Sequence, residues 1–383
     1  MAANVTAGRH ASAAVACLLR TSPGLRVTYP SDAEAHFDAV HIKLAPWLQS
    51  VPGFRRHGAA GYDGPWIENI WISHFGALAR RARARSRPLR SIFGPYIPLF
   101  VPFTDHWVRG GYNYPAGLVP DLIAALRPDV AYVTVSQNDE GLTGKDELPM
   151  ARIPNVLVFS AGGYGHVPVP LLKQLEPPYP AAPVASRPLL VSYVGSLESA
   201  PHGLRARMRD VLVEAAAAGG LAYEVSHGLS ARWSSLTRWL PPVVERVASG
   251  LAGVRPWRGV MADSRLSLCP RGYGRSSYHL AESLQMGRVP IHVFSDTPWL
   301  PYEQLFRERL GFASNLRGLA GLLRDLANAS SDELERRERT AANMSRSHFT
   351  LHGVMDQIGR FLRDPRRSDL QCQRLPRSVR DAG

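Results

Sequence analysis

Residues 261–306, MADSRLSLCPRGYGRSSYHLAESLQMGRVPIHVFSDTPWLPYEQLF, decide how the chain is read. The pattern predicts a buried strand over 265–269, then a loop of Pro270, Arg271, Gly272, Gly274, Arg275, Ser276 and Ser277. A helix follows over 278–286 and stops at Gly287; a second apolar strand over 289–294 leads to an acidic turn at Asp296. A basic, hydroxyl-rich loop between a strand and a helix N-terminus turns backbone N–H groups toward a phosphate. Two guanidinium groups beside those donors add bidentate capture. The chemistry expected is the holding of a diphosphate as it leaves with its charge stabilised.

Outward from that stretch, continuous rather than alternating apolar runs predict buried parallel strands. They lie at 97–103, 130–136 and 156–160, with a helix over 118–126 between them. The run Glu176-Pro177-Pro178-Tyr179-Pro180-Ala181-Ala182-Pro183 can continue neither a helix nor a central strand and is the best linker. After it come a strand over 188–195, a basic helix over 204–218 ending at Gly219-Gly220, a strand over 221–226 and a loop with Trp233 and Trp239. Charged residues with apolar punctuation over 332–363 predict one or two C-terminal helices that brace the first domain. The domains expected are 1–180, 186–330, C-terminal helices over 331–365 and a disordered tail over 366–383. Strand–helix alternation points to doubly wound α/β sheets.

The decisive stretch resembles the nucleotide-sugar half of the exostosin-like glycosyltransferases, glycosyltransferase family 47. The matching elements are Pro270-Arg271-Gly272, Ser277-Tyr278-His279-Leu280-Ala281-Glu282, Gly287-Arg288-Val289-Pro290-Ile291, Asp296 and Leu300-Pro301-Tyr302. Upstream, Ile97-Pro98-Leu99-Phe100-Val101-Pro102 is similar to the family's strand ending in Phe-Val-Pro. The 189–195 strand with Arg205 and Arg207 is similar to its strand-Gly then Arg-x-x-x-Leu element. The similarity is strong over 188–310, moderate over 90–175 and weak before 90. His279 stands where the family usually has Arg, and Tyr302 where it has Phe. The first departure matters more, because a histidine is charged only near or below a pKa of about 6.5.

The resemblance implies a GT-B architecture, two Rossmann-like domains facing across a cleft, with the nucleotide-sugar donor on the C-terminal domain and the glycan acceptor entering from the N-terminal one. It implies an inverting enzyme with no bound metal or other cofactor, a uridine diphosphate sugar as donor, Glu282 at the donor ribose, and a Golgi setting. The absence of an Asp-x-Asp triplet agrees. An inverting transfer needs a base for the acceptor hydroxyl; one carboxylate suffices, since diphosphate is a good leaving group. The candidates beyond N-terminal strands are Asp139, which Gln137, Asn138 and Glu140 surround with polar groups, then Asp105 and His166. The Gly162–Gly165 turn offers close approach to an acceptor sugar; Trp66, Trp71, Trp107, Tyr112 and Tyr114 are candidate stacking platforms.

At 383 residues, 45% hydrophobic and 20% charged, the chain has the size of two domains and the composition of a globular protein. Net charge is +13, carried almost wholly by Arg, since Lys43, Lys145 and Lys173 are the lysines. A polyanion or nucleic-acid binder would use that charge, but it leaves the Pro-x-Gly motif unexplained. The run Arg80–Arg87 reads as a solvated helix end. An inactive nucleotide-sugar or glycan-binding module on the same fold is the second alternative, motivated by His279. Cys17, Cys269 and Cys372 offer no zinc spacing, and no disulfide can be argued from them. No run reaches the length of a membrane span; residues 11–19 are too short and resemble an early helix. The triplets Asn4-Val5-Thr6, Asn328-Ala329-Ser330 and Asn343-Met344-Ser345 match the glycosylation pattern.

Overall fold

The apolar runs fold into two parallel sheets, seen in a computed structural model that describes residues 15–48, 65–144, 146–173, 176, 179–219, 221–226, 244, 248 and 255–373. Asn4-Val5-Thr6, Pro177, Pro178, Gly220, Trp233 and Trp239 lie outside those residues, as does 374–383. The first lobe begins with α1 (Ala16–Thr21), α2 (Ala33–Lys43) and α3 (Ile67–Ala84), followed by β1 (Ile97–Pro98), α4 (Phe103–Arg109), α5 (Leu118–Ala125), β2 (Tyr132–Ser136), β3 (Val156–Ser160) and β4 (Val167–Pro168). Its sheet runs β1-β2-β3-β4, parallel throughout, with Tyr132 opposite Val156 and Ser136 opposite Ser160.

The second lobe holds β5 (Leu189–Val194), α6 (Leu204–Gly219), β6 (Tyr223–Ser226), α7 (Trp257–Ala262), β7 (Ser264–Pro270), α8 (Tyr278–Gln285), β8 (Pro290–Phe294), β9 (Phe312–Asn315) and α9 (Leu316–Ala327). Its strand order is β6-β5-β7-β8-β9, again all parallel. The chain therefore leaves β5 toward one edge and returns on the other side as β7. Where strand order reverses, the connecting loops diverge and leave a crevice at the carboxyl ends, the usual ligand position of open α/β sheets. Two doubly wound, Rossmann-like units are thus what the strand pattern builds.

The expected strand over 97–103 shrinks to two residues. Pro98 and Pro102 carry no N–H for a ladder; Leu99 still donates to the Val133 carbonyl at 2.8 Å, and Phe103 already begins a helix. The Arg-rich run is the solvated end of α3, where Arg83 pairs with Asp38 at the surface.

The last helices, α10 (Ser331–His348) and α11 (Leu351–Arg363), cross from the second lobe back to the first. Along α11, Val354, Met355, Ile358, Phe361 and Leu362 are buried in the core of the first sheet, and Phe361 meets Phe159 edge-on at 5.3 Å. Each such side chain contributes about 1.5–3 kcal/mol over its exposed state. The same core takes in Leu280, Ala281 and Leu284 of α8, so the lobes share an apolar contact.

One expectation about the chain ends fails, and one feature there was not foreseen. Residues 366–373, read as the start of a disordered tail, are ordered: Leu370 is buried in the first core and the Gln373 amide donates to the His166 carbonyl at 2.9 Å. Cys372 forms a disulfide with Cys17 of α1, their Cα atoms 5.4 Å apart. A pairing across 355 residues leaves no local pattern to read. The linker is likewise tied down, because Arg258 bonds the Glu176 carboxylate at 2.7 Å and Arg288 donates to the Tyr179 carbonyl at 2.7 Å.

Candidate functional site

The loop after β7 is built around Arg271, whose side chain is 2% exposed. Its Nε donates to the Gly274 carbonyl (3.0 Å), Nη2 to the Tyr273 carbonyl (2.8 Å), and Nη1 to Ser295 Oγ and Asp296 Oδ1 (2.8 Å each). Arg275 closes the other side, with Nε 2.6 Å from Asp296 Oδ2. Burial alone would raise the Asp296 carboxyl, but the Thr297 amide and both guanidinium groups outweigh it and hold it below its ordinary value. Arg271 therefore draws the loop carbonyls inward and shapes the loop around itself. The sequence placed Arg271 at the loop; its direction toward the loop carbonyls and Asp296 is not something a motif encodes.

Ser277 caps α8, its Oγ accepting from the His279 amide at 3.2 Å. The Ser276 hydroxyl is buried and has no hydrogen-bond partner among the described residues. Gly272 donates to the Ser276 carbonyl, which closes the loop. On α8, His279 and Glu282 both lie buried, with Nδ1 and Oε2 3.6 Å apart. His279 Nε2 is 3.2 Å from Ser267 Oγ, and Tyr193 stands edge-on to the imidazole.

A guanidinium outside the loop lies at the switch point. Arg205, on α6, donates from Nε to the Arg271 carbonyl (3.0 Å) and from Nη1 to Ser196 O (3.0 Å) and Tyr193 Oη (3.1 Å). It thus spans the carboxyl ends of β5 and β7. A Cβ on Gly272 would lie 3.8 Å from its Nη2, so that nitrogen borders the loop. The sequence singled out Arg205 only as part of a motif; the crevice position follows from strand order, which single-sequence periodicity does not give.

The first lobe meets this loop directly, carboxyl ends toward carboxyl ends. The Asp139 carboxylate, partly buried just beyond β2, accepts the Gly274 N–H. Burial pushes its pKa up to about 6, against the pull of Arg271 and of that N–H and helped by repulsion from Glu140. Gly163, at φ +132°, abuts the Arg275 backbone, and its carbonyl is 3.3 Å from Arg275 Nη1. The Gly162–Gly165 turn therefore admits the opposing loop where an acceptor sugar was expected. Gln137 Nε2 donates to Tyr278 Oη at 3.0 Å, and Lys173 Nζ sits 4.3 Å above the Tyr278 ring.

The other two base candidates do structural work. His166 accepts the Val158 N–H at Nδ1 (3.1 Å), leaving Nε2 to donate to Thr21 Oγ1 (3.3 Å); burial depresses its pKa to about 4. Asp105 is buried within α4, 2.7 Å from Asn69 Nδ2 of α3. Beside it, Glu68 is fully buried and accepts from the Thr104 amide and hydroxyl and the Gln137 amide. Burial raises its pKa to about 8 against those donors. Trp66, Trp71 and Tyr114 are core residues, whereas Tyr112 is exposed and edge-on to Trp107.

A small cavity lies between the lobes beside the loop. Ser276, Ser277 and Leu280 line this cavity of about 10 Å³, roughly one water, with Pro170 and Leu171 opposite. A nucleotide needs several hundred Å³, so this cavity does not hold one as it stands. Among the described residues no three His, Cys, Asp or Glu side chains gather as metal ligands do.

No family model and no curated protein matches the chain, so the exostosin resemblance rests on its motif residues alone. Among solved structures it is similar to TarM, at a TM-score of 0.36 and 8% identity over 63% of this chain and 52% of that one. It is also similar to a GtfA/B complex (0.33, 14%, 60% and 45%). A third is the pneumococcal O-GlcNAc transferase GtfA in complex with UDP and GlcNAc (0.34, 13%, 61% and 46%). The chain spans about half the length of these structures. Alignments this distant assign neither family nor activity.

Proposed function

We propose that the chain is a GT-B glycosyltransferase of exostosin type. In this reading it moves a sugar from a nucleotide donor, with uridine diphosphate as the nucleotide, to a glycan hydroxyl with inversion and without a resident metal. One observation carries the reading. At the strand-order reversal between β5 and β7, a bolted loop, the start of α8, the buried Ser276 hydroxyl and the Nη2 edge of Arg205 converge. Arg205 and the α8 amides then hold the diphosphate, and they stabilise it most as charge develops on departure. Glu282 takes the ribose, His279 orients it, and Asp139 is the base for the acceptor hydroxyl. The Cys17–Cys372 disulfide favours an oxidising compartment, in keeping with a luminal setting.

The test is a donor screen that measures nucleotide release with mixed glycan acceptors for wild type, Arg205→Gln and Glu282→Gln. Loss of turnover in both variants with folding intact supports the assignment; unchanged turnover in both removes it. The second reading, binding without transfer, is favoured by His279 in the family's Arg position. Saturable nucleotide binding with no release under any acceptor would establish it.

A further inference from the structure

The donor loop already holds an anion, supplied by the other lobe. We propose that the Asp139 carboxylate is an internal stand-in for a donor phosphate: it occupies the loop's anion position, and a nucleoside diphosphate enters only when it leaves. The inference rests on the donor-site reading given under Proposed function.

The geometry supports it from both sides. Asp139 accepts the Gly274 N–H and lies within the attraction of Arg271, as a phosphate oxygen would. Gly274 has no room for a side chain, since a Cβ there would strike Asp139 Oδ1 and the Gly162 carbonyl. The fit is a poor match in number: a carboxylate has two oxygens, fewer than a diphosphate. Correspondingly, Ser276 Oγ is buried without a hydrogen-bond partner among the described residues. A cavity of about 10 Å³ beside Ser276 holds no ligand larger than a water. Binding therefore exchanges one anion for another and parts the lobes. It also releases Asp139 toward the acceptor side, so the donor binds first and the base becomes available second.

Uridine diphosphate is the probe, titrated by calorimetry into wild type, Asp139→Ala and Asp139→Asn. Removing the competing carboxylate removes a closed population that weakens apparent affinity in proportion. Asp139→Ala should bind about tenfold tighter than wild type, with Asp139→Asn between them. Asp139→Asn keeps the shape of the side chain and carries the test if the alanine variant does not fold. Amide exchange gives an independent readout: uridine diphosphate added to wild type should speed exchange at 138–141 and 162–165 while slowing it at 272–278. Binding to wild type with neither variant tighter, or slowed exchange on both faces, overturns the inference and leaves the donor-site reading standing. No binding by any of the three proteins removes that reading and the inference with it.

Discussion

Two triads, each a partly buried carboxylate between two buried arginines, sit at opposite ends of the second sheet. At the amino ends of β5 and β8, Glu338 is gripped by Arg187 (2.6 and 2.9 Å) and Arg288 (3.1 Å). At the carboxyl ends, Asp296 is gripped by Arg271 and Arg275. The ionic chemistry is the same and the burial nearly so. One triad fastens α10 to the sheet; the other shapes a loop beside the strand-order reversal. A buried arginine pair is thus no anion site in itself, and topology decides what lies next to it.

The largest effects should come from breaking either triad. Arg271→Ala and Arg187→Ala each remove a buried guanidinium that holds a partly buried carboxylate and backbone carbonyls, and should cost about 3–5 kcal/mol in urea unfolding. An Arg271→Ala protein of full stability that had lost nucleotide binding would dissolve the parallel, making Arg271 a ligand group after all. Next, reduction of Cys17–Cys372 should lower stability by about 2–4 kcal/mol, read from the denaturation midpoint with and without dithiothreitol. No change would mean that the bond is not formed in solution.

Arg205→Gln sharpens the contrast between scaffold and ligand arginines. Uridine diphosphate should bind at least about tenfold more weakly, near 1.4 kcal/mol, with the unfolding midpoint unchanged. A large fall in stability would put Arg205 with the triads. An effect of similar size lies midway along β8, where His292 is buried with its pKa depressed to about 4. The unfolded ring titrates near 6.5, so between those values the unfolded state binds more protons. Stability from this group is therefore present above about pH 6.5 and lost as pH falls toward 4. Compared with His292→Gln, wild type should lose on the order of 1–2 kcal/mol from pH 7 to 5; a constant difference would refute the assignment.

Much of the scaffold was legible: burial on both faces leaves the unbroken apolar run 156–160 that is β3, and the helix read over 278–286, stopped by Gly287, falls on α8 within a residue. Missed elements were those whose stability comes from elsewhere. The two-residue β4 is set by its neighbour β3, and α3 shows its purpose only once Glu68 meets Thr104 across the lobe. Within the candidate site, the loop lies between the strand and helix where it was read, and the orientations of its side chains were not legible. Arg271 faces carbonyls, His166 faces the backbone, and Asp139 faces a glycine amide from the other lobe. Each depends on a contact distant in sequence, which no local spacing encodes.

The return of α11 and Cys372 to the first lobe has a consequence for synthesis. The first lobe lacks part of its own core until residues 351–372, far downstream of its sheet, have been translated. The amino-terminal half must wait, with apolar surface uncovered, for its final helix and its covalent clasp. Nascent chains of this protein should therefore lean on chaperones longer than those of a protein whose lobes mature in turn.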